Sequence, residues 1–421
     1  MSPNTQRYSR MIDLYRQVRL MKTLSSAWRV VRTSCMQSSS ITIRNEAIEF
    51  DADAIRQLKL IQTKLQKKKF QFLPQHGIAK ARPGKVARPL VIAPITNRIV
   101  QRAILDVLQE NVSYVRDVMN IPTSFGGIKG KNVAQAIGAI NASFASGAKY
   151  YVRSDIPSFF TKVQRAKVVG VLATHIEDVD MVNLFASAIE TSLGNLTDLQ
   201  RSGLDSIFPL SHDGVAQGSP LSPLIANICL AEFDREMNSA DLVCIRYIDD
   251  FVIMAASEKL TMKGFRAAKA ILARQGLQVY SPDDDPEKAS RGAVRDGFDF
   301  LGCYVKPGLV QPSKLARIRL LEKIDAEIRL SCALAAMACE GGGVGAGCYA
   351  QAIVNINNIV WGWGKAFRFC TGRQVIAELD ARISKKMNDF ENAIASKLRH
   401  ADINVRRRVY GVRMLVDALD S

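Results

Sequence analysis

The sequence predicts an α+β fold, and three observations carry that prediction. Short apolar runs of strand length lie at 149–153, 243–248 and 251–255. Longer stretches with apolar residues at helical spacing surround them. The final third, from about residue 311, reads as helix almost throughout. With 421 residues the chain can build two or three domains around substantial cores.

In chain order, residues 9–34 and 45–70 carry helix-spaced apolar residues on a basic background, separated by Gln37-Ser-Ser-Ser40. Pro74 and Gly77 open a strand–loop–strand segment that runs to Pro94. Helices are expected at 97–117 and 131–145, and the strand at 149–153 leads into Asp155. Helical segments fill 161–194, and Pro220 suits the first turn of a helix reaching about Met237. The apolar hairpin comes next, then a helix at 258–275, a strand near 298–305 and the helical remainder. Gly341-Gly-Gly-Val-Gly-Ala-Gly347 divides that remainder and reads as a flexible linker, because no strand precedes it and no Lys-Ser/Thr follows. Trp361 and Trp363 read as packing residues within their helix.

Charge is unevenly placed. The net charge is +17, of which residues 1–100 carry +14, residues 101–313 carry −3 and residues 314–421 carry +6. Two basic flanks around a slightly acidic centre suit a polyanion gripped at its ends, with carboxylates kept in between. The eight cysteines form no Cys-x-x-Cys pair and the four histidines lie far apart, which argues against structural zinc and a disulfide framework. The N-terminus lacks a signal-peptide core, and the apolar stretch near 330–339 is too short to span a bilayer, so a cytoplasmic, membrane-free location is expected.

The candidate chemistry centres on Asp249 and Asp250, inside Cys244-Ile-Arg-Tyr-Ile-Asp-Asp-Phe-Val-Ile-Met254. Two carboxylates this close resist joint ionisation. No Gly supplies the positive φ that a tight hairpin turn wants. A dication that neutralises the pair accounts for the crowded charge, and the missing Gly argues against a plain polar turn. Asp155, ending its own apolar strand, reads alone as a cap or turn residue; beside the pair it becomes a third ligand. Two-metal nucleotidyl transfer needs carboxylates that bridge cations about 3.5–4 Å apart. Between these acids lies Gln217-Gly-Ser-Pro-Leu-Ser222, where Gly218 permits close backbone approach.

In this order of motifs the chain resembles the reverse transcriptase family. Asp155–Phe160 matches Asp-x-x-x-Phe-Phe, Gln217–Pro223 matches Gln-Gly-Ser-Pro-Leu-Ser-Pro, Tyr247–Asp250 matches Tyr-x-Asp-Asp, and Phe300-Leu-Gly302 matches Phe-Leu-Gly. The resemblance runs from about Lys80 to Val305 and implies a right-handed polymerase. On that basis the domains are a basic helical extension (1–72), fingers and palm (73–310), and a helical thumb with an RNA-binding region (311–421). It further implies an RNA-directed DNA polymerase that uses two Mg2+ ions, with Mn2+ as a substitute. Its partners would be an RNA template, the cDNA product and deoxynucleoside triphosphates; the oligomeric state stays open.

Carried over residue by residue, Asp155, Asp249 and Asp250 would be the catalytic, metal-binding acids, with Ile156 beside them as a further metal contact. Lys80, Arg88, Phe159, Phe160 and Gln217 would bind the incoming nucleotide, Phe160 as the ring that crowds a ribose 2′-hydroxyl. Gly218, Ser219, Pro220, Tyr247, Phe300, Leu301 and Gly302 would contact template and primer, and Lys288 would be the general acid for pyrophosphate. Arg88-Pro-Leu-Val-Ile-Ala-Pro, Asn97-Arg-Ile-Val-Gln101 and Asn355-Ile-Asn-Asn-Ile-Val-Trp-Gly-Trp363 look like the group II intron-related branch. Departures are Ser124-Phe-Gly-Gly-Ile-Lys-Gly-Lys131, where intron proteins carry an Arg-rich segment, and the lack of Cys/His endonuclease and retron signatures. What remains resembles stand-alone bacterial reverse transcriptases of antiphage defence, several of which copy a non-coding RNA encoded beside them. An intron-encoded maturase, or an RNA-binding protein whose scaffolding role dominates, is the alternative.

Overall fold

The computed structural model describes residues 13–82, 85–210, 213–341, 347–412 and 414–415. It divides into two compact units, Met1–Gly292 and Ala293–Ser421.

In the first unit the N-terminal helices share the main core rather than forming a separate extension. Helix Met21–Met36 buries Leu24, Ala27, Trp28, Val31 and Cys35, the stripe that a 3.6-residue period dictates. That stripe packs on helix Ile95–Asn111, whose Ile99, Val100, Ala103, Ile104 and Leu108 are fully or almost fully buried. The Ser-rich break falls as expected, with Ser40 capping helix Ile41–Ala52 through Ile43 N–H. The single helix expected at 45–70 is two, because Asp53 leaves helical geometry before Ala54–Gln66.

Strands β1 (His76–Arg82) and β2 (Lys85–Ile92) form the expected antiparallel hairpin, with Lys80 opposite Arg88. Its turn lies outside the described residues. Strands β3 (Tyr150–Asp155), β4 (Val243–Tyr247), β5 (Asp250–Ala255) and β6 (Ser290–Ala293) form a four-stranded sheet in the order β4-β5-β3-β6. Helix Glu258–Arg274 packs against β3 and β5. The helix expected from Pro220 begins instead at Ser222, with Pro223 in its first turn, and it breaks at Leu230 into Ser222–Cys229 and Ala231–Glu236. Pro220 therefore belongs to the preceding loop.

The second unit opens with a meander of β7 (Phe298–Phe300), β8 (Cys303–Lys306) and β9 (Leu309–Pro312). This sheet belongs with the C-terminal helices, so the boundary expected at 310 falls nearer 292. Helices Lys314–Cys339, Cys348–Ala366, Arg373–Leu398 and Ile403–Val409 follow. Residues 342–346 of the glycine-rich linker lie outside the described residues. Trp363 packs on Phe367 at a ring separation of 4.6 Å, as a packing residue should. Trp361 does not: it is 65% exposed, with Lys365 over its ring. Among the described residues no helix is long and apolar enough to cross a membrane.

Candidate active site

The site is built on the sheet. β3 runs antiparallel to β5 with Asp155 directly opposite Asp250, and β4 pairs with β5 with Tyr247 opposite Asp250. Ile248 and Asp249 are thus the two central residues of a tight hairpin turn, and Asp250 is the first residue of β5. Asp155 ends its strand and caps no helix; Ser158 precedes the short helix Phe159–Lys162. The Ile156 N–H donates to the Asp249 carbonyl at 3.1 Å, which ties the end of β3 to the turn. The Ile156 side chain is buried, so only its backbone carbonyl could meet a metal.

The missing glycine has a structural answer. Ile248 itself takes the left-handed conformation, at φ 61°. A β-branched residue there is a strained outlier. Two contacts hold it. Arg246 Nη1 donates to the Ile248 carbonyl at 2.9 Å, and Gly126 lies so close that an added Cβ would come within 2.4 Å of Ile248 N.

Crowding of like charges is visible in the carboxyl groups. Burial, then Asp249, then Asp155 raise Asp250 to about 7, against weaker opposition from Arg153 and Lys288. Burial also raises Asp249, with Asp155 adding to the rise and Arg88 and Arg246 opposing it. Lys288 Nζ stands 4.0 Å from Asp155 Oδ2 and 5.3 Å above the Tyr280 ring. Of the neighbouring acids, Asp283 pairs instead with Arg291.

Around the acids, Arg88 Nε donates to Gln217 Oε1 at 2.7 Å, and Val91 N–H donates to the Gln217 carbonyl at 3.0 Å. Strand β2 is thereby fastened to the loop Gln217–Pro220. Gly218 needs its missing side chain: its φ is 119°, and a Cβ would lie 2.9 Å from the Val91 carbonyl oxygen. Ser219 accepts from Leu221 N–H as the loop enters the helix. Phe160 is half-buried, in edge contact with Phe159 at 5.3 Å. Phe159 is only 1% exposed and belongs to the core, which corrects its assignment as a nucleotide contact. Phe300, Leu301 and Gly302 form the β7–β8 turn of the second unit, with Leu301 and Gly302 both at positive φ as a type I′ hairpin turn demands. A cavity of about 440 Å³ lies elsewhere in the first unit, lined by Val168, Ile228, Ile271, Leu277, Lys167 and Arg274 among others and by none of the three acids.

Sequence reading missed the polar network under the turn. Arg246, fully buried, donates to Asp234 through Nε (2.6 Å) and Nη2 (2.5 Å), and also to Ser124 and Asn227. The available signal was an arginine inside an apolar strand, which has to find an acid when buried.

Residues 55–305 match the family described as "Reverse transcriptase (RNA-dependent DNA polymerase)". The chain belongs to the reverse transcriptase family. Among its relatives is Protein YkfC of Escherichia coli K12, 22% identical over 64% of this chain and 76% of that protein. Group II intron-encoded protein LtrA of Lactococcus lactis is 28% identical over 38% of this chain, which spans only 24% of LtrA. A chain of the solved "Partial Cas6-RT-Cas1--Cas2 complex" is 20% identical, with a TM-score of 0.35, over 65% of this chain and 44% of that one.

Proposed function

We propose that this chain copies RNA into DNA with Asp155, Asp249 and Asp250 as the metal-binding acids of a two-metal centre. The observation behind this reading is the pairing of Asp155 with Asp250, with Asp249 in the adjoining turn. Among the described residues no three His, Cys, Asp or Glu side chains stand in ready metal-ligating geometry. A site completed by its substrate accounts for that, since Mg2+ is commonly held by one or two carboxylates with substrate phosphates rather than by an all-protein cage. The all-oxygen donors and the charge crowding on Asp250 suit a hard dication. When bound, two Mg2+ ions, or Mn2+ in their place, supply a lowered pKa at the primer 3′-hydroxyl and neutralise charge on the leaving pyrophosphate.

The chain's own residues do the rest. Lys80 and Arg88 bind the triphosphate, the one as a point charge and the other as a fork. Gln217 orients the nucleotide and Phe160 crowds a 2′-hydroxyl. Gly218, Ser219, Pro220 and Tyr247 support the terminal base pair, with Phe300, Leu301 and Gly302 gripping the primer. Lys288 delivers a proton to pyrophosphate. The test is deoxynucleotide incorporation on a primed RNA template: it should require Mg2+ and vanish in Asp249→Ala, whereas a preference for ribonucleotides would overturn the reading.

The template, on the same reading, is a structured RNA encoded beside the gene, copied in antiphage defence. The charge of +14 on residues 1–100 supports contact with a folded RNA. Sequencing RNA and DNA that co-purify with the protein, with and without phage, should return one dominant species; a broad spread of cellular transcripts would count against it. Similarity to LtrA favours a second reading, a maturase-like protein of a group II intron. That reading requires the gene to lie within a self-splicing intron.

A further inference from the structure

We propose that Arg246 is a positioning residue that makes the metal-bearing turn and the nucleotide loop a single rigid piece. The inference rests on the two-metal reading above and concerns residues outside the acids themselves.

Four separate segments meet at the Arg246 guanidinium. Nη1 holds the carbonyl of left-handed Ile248, the residue before Asp249. Nε and Nη2 fork onto Asp234 of helix Ala231–Glu236, and both side chains are wholly shielded from solvent. Nη2 also reaches Asn227 of helix Ser222–Cys229 at 2.9 Å and Ser124 at 2.7 Å. Asn227 in turn donates to the carbonyls of Pro223, where the nucleotide loop enters its helix, and of Gly126. The backbone repeats the connection: Arg246 N–H donates to Thr123 O, and Phe125 N–H donates to Arg246 O.

The glycine pair completes the piece. A Cβ on Gly126 would strike Ile248 N at 2.4 Å, and one on Gly127 would strike Pro223 Cβ at 2.4 Å. Ser124-Phe-Gly-Gly127, the segment in which this chain departs from intron proteins, is thus wedged between the turn and the start of helix Ser222–Cys229. Stability alone does not call for such a cluster, because well-packed apolar residues commonly replace a buried ion pair without loss. What they cannot do is hold a carbonyl in a strained turn. The arginine fork can, since it satisfies Asp234 while a separate nitrogen faces Ile248.

Arg246→Lys keeps the charge and loses the fork. It should lower incorporation and weaken Mn2+ binding in the presence of primer–template and dNTP by about 10-fold or more, the scale of losing an outer-shell contact to a metal ligand. Ile248→Gly relieves the left-handed strain, so Arg246→Lys should cost clearly less in that background. Equal losses in both backgrounds, or a lowered melting temperature with wild-type Mn2+ binding, would overturn the proposal. If Arg246→Lys does not fold, Ser124→Ala carries the same test: weakened Mn2+ binding supports positioning and unchanged binding refutes it. An inactive wild type would instead refute the polymerase reading, while Mn2+ binding would still compare the variants.

Discussion

Asp155 and Asp250 face each other across the β3–β5 ladder, the last residue of one strand opposite the first of the other. Facing residues in an antiparallel pair put their side chains on the same face of the sheet, so two like charges share one end of it. Asp250 responds with a pKa of about 7, well above an unfolded aspartate near 3.9. A raised carboxyl pKa means that the folded state holds the proton longer. Its contribution is therefore intact below about pH 4 and is lost as pH rises towards 7. Metal-free protein should melt at falling temperatures between about pH 4 and pH 7 and level off above that. Asp250→Asn should flatten that profile and stabilise the metal-free protein at pH 8 by roughly 1–3 kcal/mol, while abolishing incorporation. Added Mg2+ with substrate should raise the wild-type melting temperature at pH 8 and leave that of Asp250→Asn almost unchanged. Thermal scans across pH check all three.

Much of this pairing was legible in the sequence. Short, continuous apolar runs located β3, β4 and β5, and an acid at the end of a run marks a sheet edge rather than a core position. Which residue would absorb the strain of the turn was not legible, since Ile248 at φ 61° is held by Arg246, itself fixed by Asp234, Asn227 and Ser124, and by Gly126, more than a hundred positions away. Phe159 and Phe160 were equally hard to separate, because adjacent aromatic residues look alike until a core claims one of them. Helix breaks at Asp53, Val112 and Leu230 were missed because apolar periodicity runs straight through them. The N-terminal helices look like a detachable basic extension by charge, whereas their buried stripe places them in the core.

The Arg88–Gln217 hydrogen bond joins the β1–β2 hairpin to the loop Gln217–Pro220, the two segments proposed above to bind the nucleotide. Breaking it should loosen substrate binding more than chemistry. Arg88→Ala and Gln217→Ala should each raise KM for deoxynucleotides by about 10-fold, the scale of a lost hydrogen bond to a charged group, with smaller losses in kcat. Arg88→Lys should not restore KM, because lysine offers no fork to serve Gln217 and a phosphate together. Steady-state kinetics on a primed homopolymeric RNA would separate the two parameters; a pure kcat defect would place Arg88 elsewhere in the cycle.

Two adjacent rings should give opposite phenotypes. Phe159 fills the core, so Phe159→Ala should destabilise the protein by about 3–5 kcal/mol, as large cavities do. Phe160 is partly exposed, and Phe160→Val should cost much less stability yet admit ribonucleotides. Chemical denaturation and a dNTP/rNTP competition assay read the two effects independently. Unchanged sugar selectivity in Phe160→Val would remove that ring from the gate.

Two glycines offer the sharpest contrast between space and strain. Gly138 is exposed in helix Val133–Ala145, and a Cβ there meets nothing within 4 Å. Gly138→Ala should therefore stabilise the protein by about 0.5–1 kcal/mol through helix propensity alone, with activity intact. At Gly126 the same methyl would press on Ile248 N, Ile248 Cγ1 and the Tyr247 carbonyl carbon, all at 2.8 Å or less. Those atoms are mostly backbone, so the turn itself has to move. Gly126→Ala should cost about 1–3 kcal/mol, as overpacking does, and should reduce incorporation further than that loss explains, because the displaced segment carries Asp249. Melting curves paired with single-turnover incorporation on folded protein decide the matter: activity falling only in proportion to the folded fraction would mean that the turn tolerates displacement.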